Sequence, residues 1–125
     1  MIKIKNFVYL ILSYNIVFCL NSGAPYNHLG CWKDQHPNRA LPTIEGNSEV
    51  KSILTGHYKR RFDALGKCMR AAKKLGFNVF AVQDGGQCFA GKDAKVTAMR
   101  YGKSNECDAK TGKGGPLAND LYELN

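Results

Sequence analysis

Nowhere does this chain carry the roughly 20 consecutive apolar residues that a helix needs to cross a bilayer. Its one extended apolar run, Phe7 to Leu20, is shorter and is interrupted by Ser13 and Asn15, which argues against a transmembrane anchor. No internal repeat, low-complexity tract or second domain is visible, and there is no standard Asn-X-Ser/Thr sequon. Asn105-Glu106-Cys107 is a rare variant of that signal, blocked if Cys107 is bridged. His28, His36 and His57 lack any spacing suited to metal ligation. The ten acids are scattered and nominate no pair of catalytic carboxylates. Thr111-Gly112-Lys113-Gly114 has the outline of a phosphate loop, but Cys107 stands where the upstream glycine belongs and no Ser or Thr follows the lysine. A Cys-His nucleophile would need a free thiol. The expectation is a protein that is not an enzyme and takes neither metal nor cofactor.

What is present begins with a short basic head (Lys3, Lys5), the apolar run, and the small polar group Asn21, Ser22, Gly23, Ala24. That order is the layout of a secretory signal peptide, read here as residues 1 to 24, with residues 25 to 125 as a single domain. The cut can be placed after Cys19 or after Ala24. Removing residues 1 to 24 leaves four of the five cysteines, Cys31, Cys68, Cys88 and Cys107. An even set in an oxidising compartment implies two disulfides. The formal charge falls from +8 to +6, since Lys3 and Lys5 leave and no acid does. Such a surface favours acidic partners or simply keeps the protein soluble.

Along the mature chain, Pro25 to His28 reads as a lead-in and Leu29-Gly30-Cys31-Trp32-Lys33 as a first strand ended by Asp34. Arg39-Ala40-Leu41-Pro42 reads as a short edge strand, because proline cannot donate to a ladder. Residues 43 to 61 read as a loop with at most one helical turn at Val50, Ile53 and Leu54. Asp63 is the predicted N-cap of the main helix, with Leu65, Cys68, Met69, Ala72 and Leu75 as its apolar stripe and Gly76 as its stop. Lys67, Arg70, Lys73 and Lys74 fall on its other side. Phe77 to Gln83, the turn Asp84-Gly85-Gly86 and Gln87 to Gly91 form a predicted hairpin compact enough for Cys88 to meet Cys68 on the helix. A helical turn through Val96 to Met99, a Gly/Lys loop from Asp108 to Pro116 and a terminal strand with Leu121, Tyr122 and Leu124 complete the chain. The predicted fold class is α+β, a small antiparallel sheet with one main helix packed on it, stabilised by disulfides.

Several of these pieces, in order, resemble a WSC domain, a cysteine-rich extracellular module with a PAN/apple-like fold. They are Leu29 to Asp34, Arg39 to Pro42, the helix with Cys68, Phe80-Ala81-Val82-Gln83, Gly85 to Gly91, and Gly114-Gly115-Pro116 before Leu121-Tyr122. Family members usually carry a further bridge, whose two positions here are Ala72 and Ala90, so both halves are missing together. For the remaining cysteines the resemblance implies Cys31 with Cys107 and Cys68 with Cys88.

The resemblance also implies non-enzymatic binding of extracellular carbohydrate or matrix. Sugars stack their C–H face on aromatic rings while their hydroxyls need directional partners. Trp32, Phe89 and Tyr101 offer the rings, although packing under the helix is the favoured account of each, above all of Trp32 beside Cys31. Gln83, Asp84, Gln87 and Asn119 offer the polar groups, and the Gln83-to-Gln87 turn is the expected location of the site. The alternative is a cationic defence or toxin-like protein acting on anionic microbial surfaces through a basic patch of Lys59, Arg60, Arg61, Lys67, Arg70, Lys73 and Lys74. A third class is a structural matrix component. The expected state is a secreted, extracellular monomer with no nucleic-acid partner.

Overall fold

Residues 23 to 125 are described in a computed structural model; the signal-peptide reading falls almost wholly outside them. Four strands form one sheet, β1 (Tyr26–Lys33), β2 (Val79–Gln83), β3 (Gln87–Gly91) and β4 (Ala118–Leu124), in the order β1-β4-β2-β3 with every neighbour antiparallel. The main helix α1 spans Ala64–Lys74, and α2 (Lys95–Ala98) is a single turn. The predicted α+β class is therefore what the chain adopts.

Both faces of the sheet are covered. Against one face lie Ala64, Cys68, Ala71 and Ala72 of α1, packed with Phe80, Val82, Cys88, Ala90 and Tyr122. Against the other lie Leu41 and Ala98, packed with Val79, Ala81, Phe89 and Leu121. This explains why Val79-Phe80-Ala81-Val82 is a continuous apolar run rather than an alternating one: a strand buried on both sides has no solvent face to mark.

The helix ends as its sequence requires. Gly76 takes a φ of 78°, the Gly76 N–H donates to Lys73 O and the Phe77 N–H to Ala72 O, the paired bonds of a Schellman stop. Its start differs from expectation. Asp63 occupies the N-cap position but has a φ of 51°, and its carboxylate makes no capping hydrogen bond. It lies instead over Gly66, where a Cβ would meet its oxygens at 2.5 Å, and reaches Arg70 at 3.4 Å.

Other differences concern extent. The first strand begins at Tyr26 rather than Leu29, with a bulge between His28 and Gly30. Arg39 to Pro42 forms no regular strand; the contact with β3 is shifted onto its far end, where Pro42 O accepts from the Ala90 N–H and Thr43 bridges Phe89. The predicted terminal strand is present and central, since β4 lies between β1 and β2.

Two disulfides close this arrangement, Cys31–Cys107 and Cys68–Cys88, spanning 76 and 20 residues. Ala72 and Ala90, where the resemblance places a further bridge, are both fully buried in the cluster that holds Cys68 and Cys88. Loop-closure entropy assigns about 3 kcal/mol to the shorter disulfide loop and about 4.5 kcal/mol to the longer. We expect Cys68→Ala/Cys88→Ala to lose about 3 kcal/mol in urea unfolding and Cys31→Ala/Cys107→Ala to lose more. A larger loss for the shorter loop would contradict that entropic account.

Candidate functional site

The side chains expected to bind a ligand are not gathered at one surface. Gln83 on β2 and Asn119 on β4 are opposite each other in register and are 2% and 1% exposed. Gln83 Nε2 donates to Asn119 Oδ1 and to Asp34 Oδ2, each at 2.8 Å, and Gln83 Oε1 accepts from Arg39 Nη1 at 3.2 Å. Arg39 Nη1 also pairs with Asp34 Oδ2 at 2.7 Å, while Asp34 Oδ1 accepts the Ala40 N–H. The Arg39 guanidinium lies 5.2 Å from the centre of the Phe89 ring. Gln83 and Asn119 thus fasten the chain after β1 to the sheet and present no group to solvent. Among the described residues, Asn119 Nδ2 finds no acceptor.

The hairpin turn is equally occupied. Asp84 and Gly85 both take positive φ, and the Gly86 N–H donates to Gln83 O, closing a tight turn of the primed kind. A Cβ on Gly86 would fall 2.5 Å from Tyr58 O, and one on Gly85 would fall 2.9 Å from Lys59 O. The glycines are there because a second loop is pressed onto the turn. From the other side, the Gly85 N–H donates to Lys113 O and the Asp84 N–H to Gly115 O. Asp84 reaches Lys59 Nζ at 2.7 Å near the surface, which raises the lysine pKa through that hydrogen bond and the carboxylate charge. Gln87, half-buried, is opposite Gln83. Tyr101 sits on a separate segment, its hydroxyl donating to Asn38 O at 2.7 Å.

Arg61 departs furthest from its expected role in the basic patch. It is 2% exposed and makes six hydrogen bonds: Nη1 and Nη2 to the Glu45 carboxylate at 2.6 and 3.0 Å, and four to the carbonyls of Leu54, Thr55, Gly56 and Gly86. Glu45 Oε2 in turn accepts the Cys88 N–H at 2.8 Å. Five donors in a rigid fork suit arginine to gather several loop carbonyls at once. The rest of the patch stays outside: Lys59, Arg60, Arg70, Lys73 and Lys74 are exposed and Lys67 is half-buried.

On the helix side, buried Asp120 accepts the Gly114 N–H at 2.8 Å and faces His28 Nε2 at 2.9 Å. The Tyr122 ring stacks on Phe80 and His28, and burial pushes its phenol pKa well above the usual value.

What remains open to solvent and concave is found elsewhere. Lys33, Lys103, Ser104, Asn105 and Glu106 line a groove of about 460 Å³. It is built by the longer disulfide loop: the Lys33 N–H donates to Gly102 O, the Ser104 N–H to Cys31 O, and Lys103 bridges Trp32. Trp32 is half-buried, its indole N–H donates to Leu29 O, and Lys103 Nζ lies 5.6 Å from its ring centre. A more enclosed hollow of about 510 Å³ lies at the end of α1, between Lys73, Phe77 and Asn125. The groove residues carried no motif of their own; the signal that could have found them is the pairing of Cys31 with Cys107, which brings Lys33 beside Glu106.

Comparison with protein-family models and with curated proteins found no match.

Two outcomes follow. Arg61→Lys supplies at most three donors in place of six bonds and should cost roughly 2 to 3 kcal/mol in urea unfolding; a loss under about 0.5 kcal/mol would remove the clamp from this account. Burial alone would raise the Asp34 pKa, yet hydrogen bonds from Ala40, Gln83, Arg39 and Gln35 hold it below 3.8. A folded value below the unfolded one gives stability that is present above the unfolded value and lost as pH falls through the folded one. Asp34→Asn should therefore flatten the decline of unfolding free energy below about pH 4, measured by urea titration from neutral pH downward.

Proposed function

We propose that the chain is a secreted, non-enzymatic module that binds extracellular carbohydrate, using the groove beside Trp32. The observation that carries this reading is the composition of that groove. A hydroxyl (Ser104), an amide (Asn105), a carboxylate (Glu106) and two amines (Lys33, Lys103) line it, and the Trp32 indole borders it at Lys103, whose Nζ lies 5.6 Å from the ring centre. Those are the groups that satisfy sugar hydroxyls while a ring takes the C–H face. Lys103 covers the indole without ligand, and an exposed contact of that kind is worth only about 0.5 to 1 kcal/mol, so a stacking sugar can displace it.

Three further features support the reading. Disulfides belong to oxidising compartments. No helix among the described residues is long and apolar enough to cross a membrane. The resemblance to WSC modules points to the same ligand class. The site moves from the hairpin turn to the 102–106 segment because the turn is packed between two other loops, whereas the groove is open and held by a covalent cross-link.

A glycan array of neutral oligosaccharides tests this at low and at near-physiological salt. Binding should persist with salt, because directional hydrogen bonds and stacking are screened far less than surface charge. Asn105→Ala/Glu106→Gln should weaken it by about tenfold, the equivalent of roughly 1.4 kcal/mol. Loss of all neutral binding, or binding indifferent to that double variant, would overturn the assignment.

A further inference from the structure

Between His57 and Gly76 the sequence holds seven cations and one acid, Asp63. With Arg61 turned inward, six point outward, and of these Lys59 pairs with Asp84 and Arg70 loosely with Asp63. Arg60, Lys67, Lys73 and Lys74 form no ion pair among the described residues. Lys67, Arg70 and Lys74 lie at helical spacings of three and four, so they share one face of α1 and span about 10 Å along its axis.

Beside this row stands Phe62, the residue before the N-cap and 84% exposed, the highest value among the large hydrophobic side chains of the described residues. Lys67 Nζ lies 5.9 Å from its ring centre. An aromatic ring left in water at the head of a row of cations, of which only Arg70 has an acid partner, has no packing role.

We propose that this face, Phe62 with the outer side of α1, binds a sulfated polysaccharide chain. Such a chain presents anions at regular intervals to the cations, and its sugar C–H faces can stack on Phe62. Charge complementarity selects a polyanion. A membrane surface fits less well. Binding to lipid needs an apolar helical face, and that face of α1 is committed: Cys68 and Ala72 are buried, and Leu65 and Met69 pack against the core. Phe62 alone offers too little apolar area. This surface shares no residue with the groove beside Trp32, and the inference does not depend on that site.

The test uses the disulfide-bonded chain on immobilised heparin as the sulfated probe, near 0.15 M salt. Lys67→Gln/Lys74→Gln should weaken binding by about 25-fold, taking roughly fivefold for each cation against an anionic surface. Lys92→Gln/Lys95→Gln, which changes net charge equally on the opposite side of the sheet, should weaken it less than about threefold. Phe62→Ala, which leaves charge unchanged, should weaken it by roughly three- to tenfold. Equal losses in the two charge variants would reduce the effect to bare net charge and overturn the proposal. Indifference to Phe62→Ala, or tighter binding to phosphatidylserine vesicles than to heparin, would overturn it as well. Asn105→Ala/Glu106→Gln should bind heparin as the unaltered chain does; loss there would move the polyanion into the groove.

Discussion

The buried guanidinium of Arg61 is the interaction on which the arrangement of loops depends. A charge removed from water is tolerated only where a counter-charge and hydrogen bonds replace the lost hydration. Glu45 supplies the counter-charge, and carbonyls from two loops supply the rest. Because Glu45 also holds the Cys88 N–H, the clamp couples the irregular segment before α1 to the strand that carries the shorter disulfide. Residues 43 to 61 contain little regular structure, yet they keep one course. Their backbone carbonyls converge on a single cation.

A second polar network acts on the opposite side of the sheet. Asp34, Arg39, Gln83 and Asn119 tie the chain after β1 to the ends of β2 and β4. The two networks have the same logic. Each uses a charged pair to fix a segment that lacks strand hydrogen bonds, and each leaves the apolar clusters to Phe, Leu, Val and Ala. Gln83 and Asn119, which look available for ligands in the sequence, are consumed in this way, and open chemistry lies elsewhere, at the groove beside Trp32, the hollow at the end of α1 and its outer face.

How much was legible follows from the range over which each signal acts. The helix, its glycine stop and the hairpin announce themselves within a few residues through periodicity and turn chemistry, and the structure has all three. Pairing Cys68 with Cys88 needed only the compactness of that unit. The fates of Gln83, Asn119 and Arg61 depended on partners up to 49 residues away, as in the bond from Gln83 to Asp34. Lys59-Arg60-Arg61 reads as three equivalent cations, and nothing local marks the last as internal. The groove escaped for the same reason, since Lys33 and Asn105 meet only after a bridge spanning 76 residues has closed.

The position of β4 has a consequence for the order of events during synthesis. Its residues, 118 to 124, lie between the earliest strand and the hairpin, and Tyr26 pairs with Leu124. The helix and hairpin, with the Cys68–Cys88 bridge, are closed by contacts local in sequence and need no residue after 91 to associate. The sheet itself cannot close until β4 emerges, because β1 touches no other strand. Cys31 must therefore wait for a partner until most of the polypeptide has been elongated. Until then Tyr26, Leu29 and Trp32, which pack against the two apolar clusters in the folded chain, have no completed sheet to cover them.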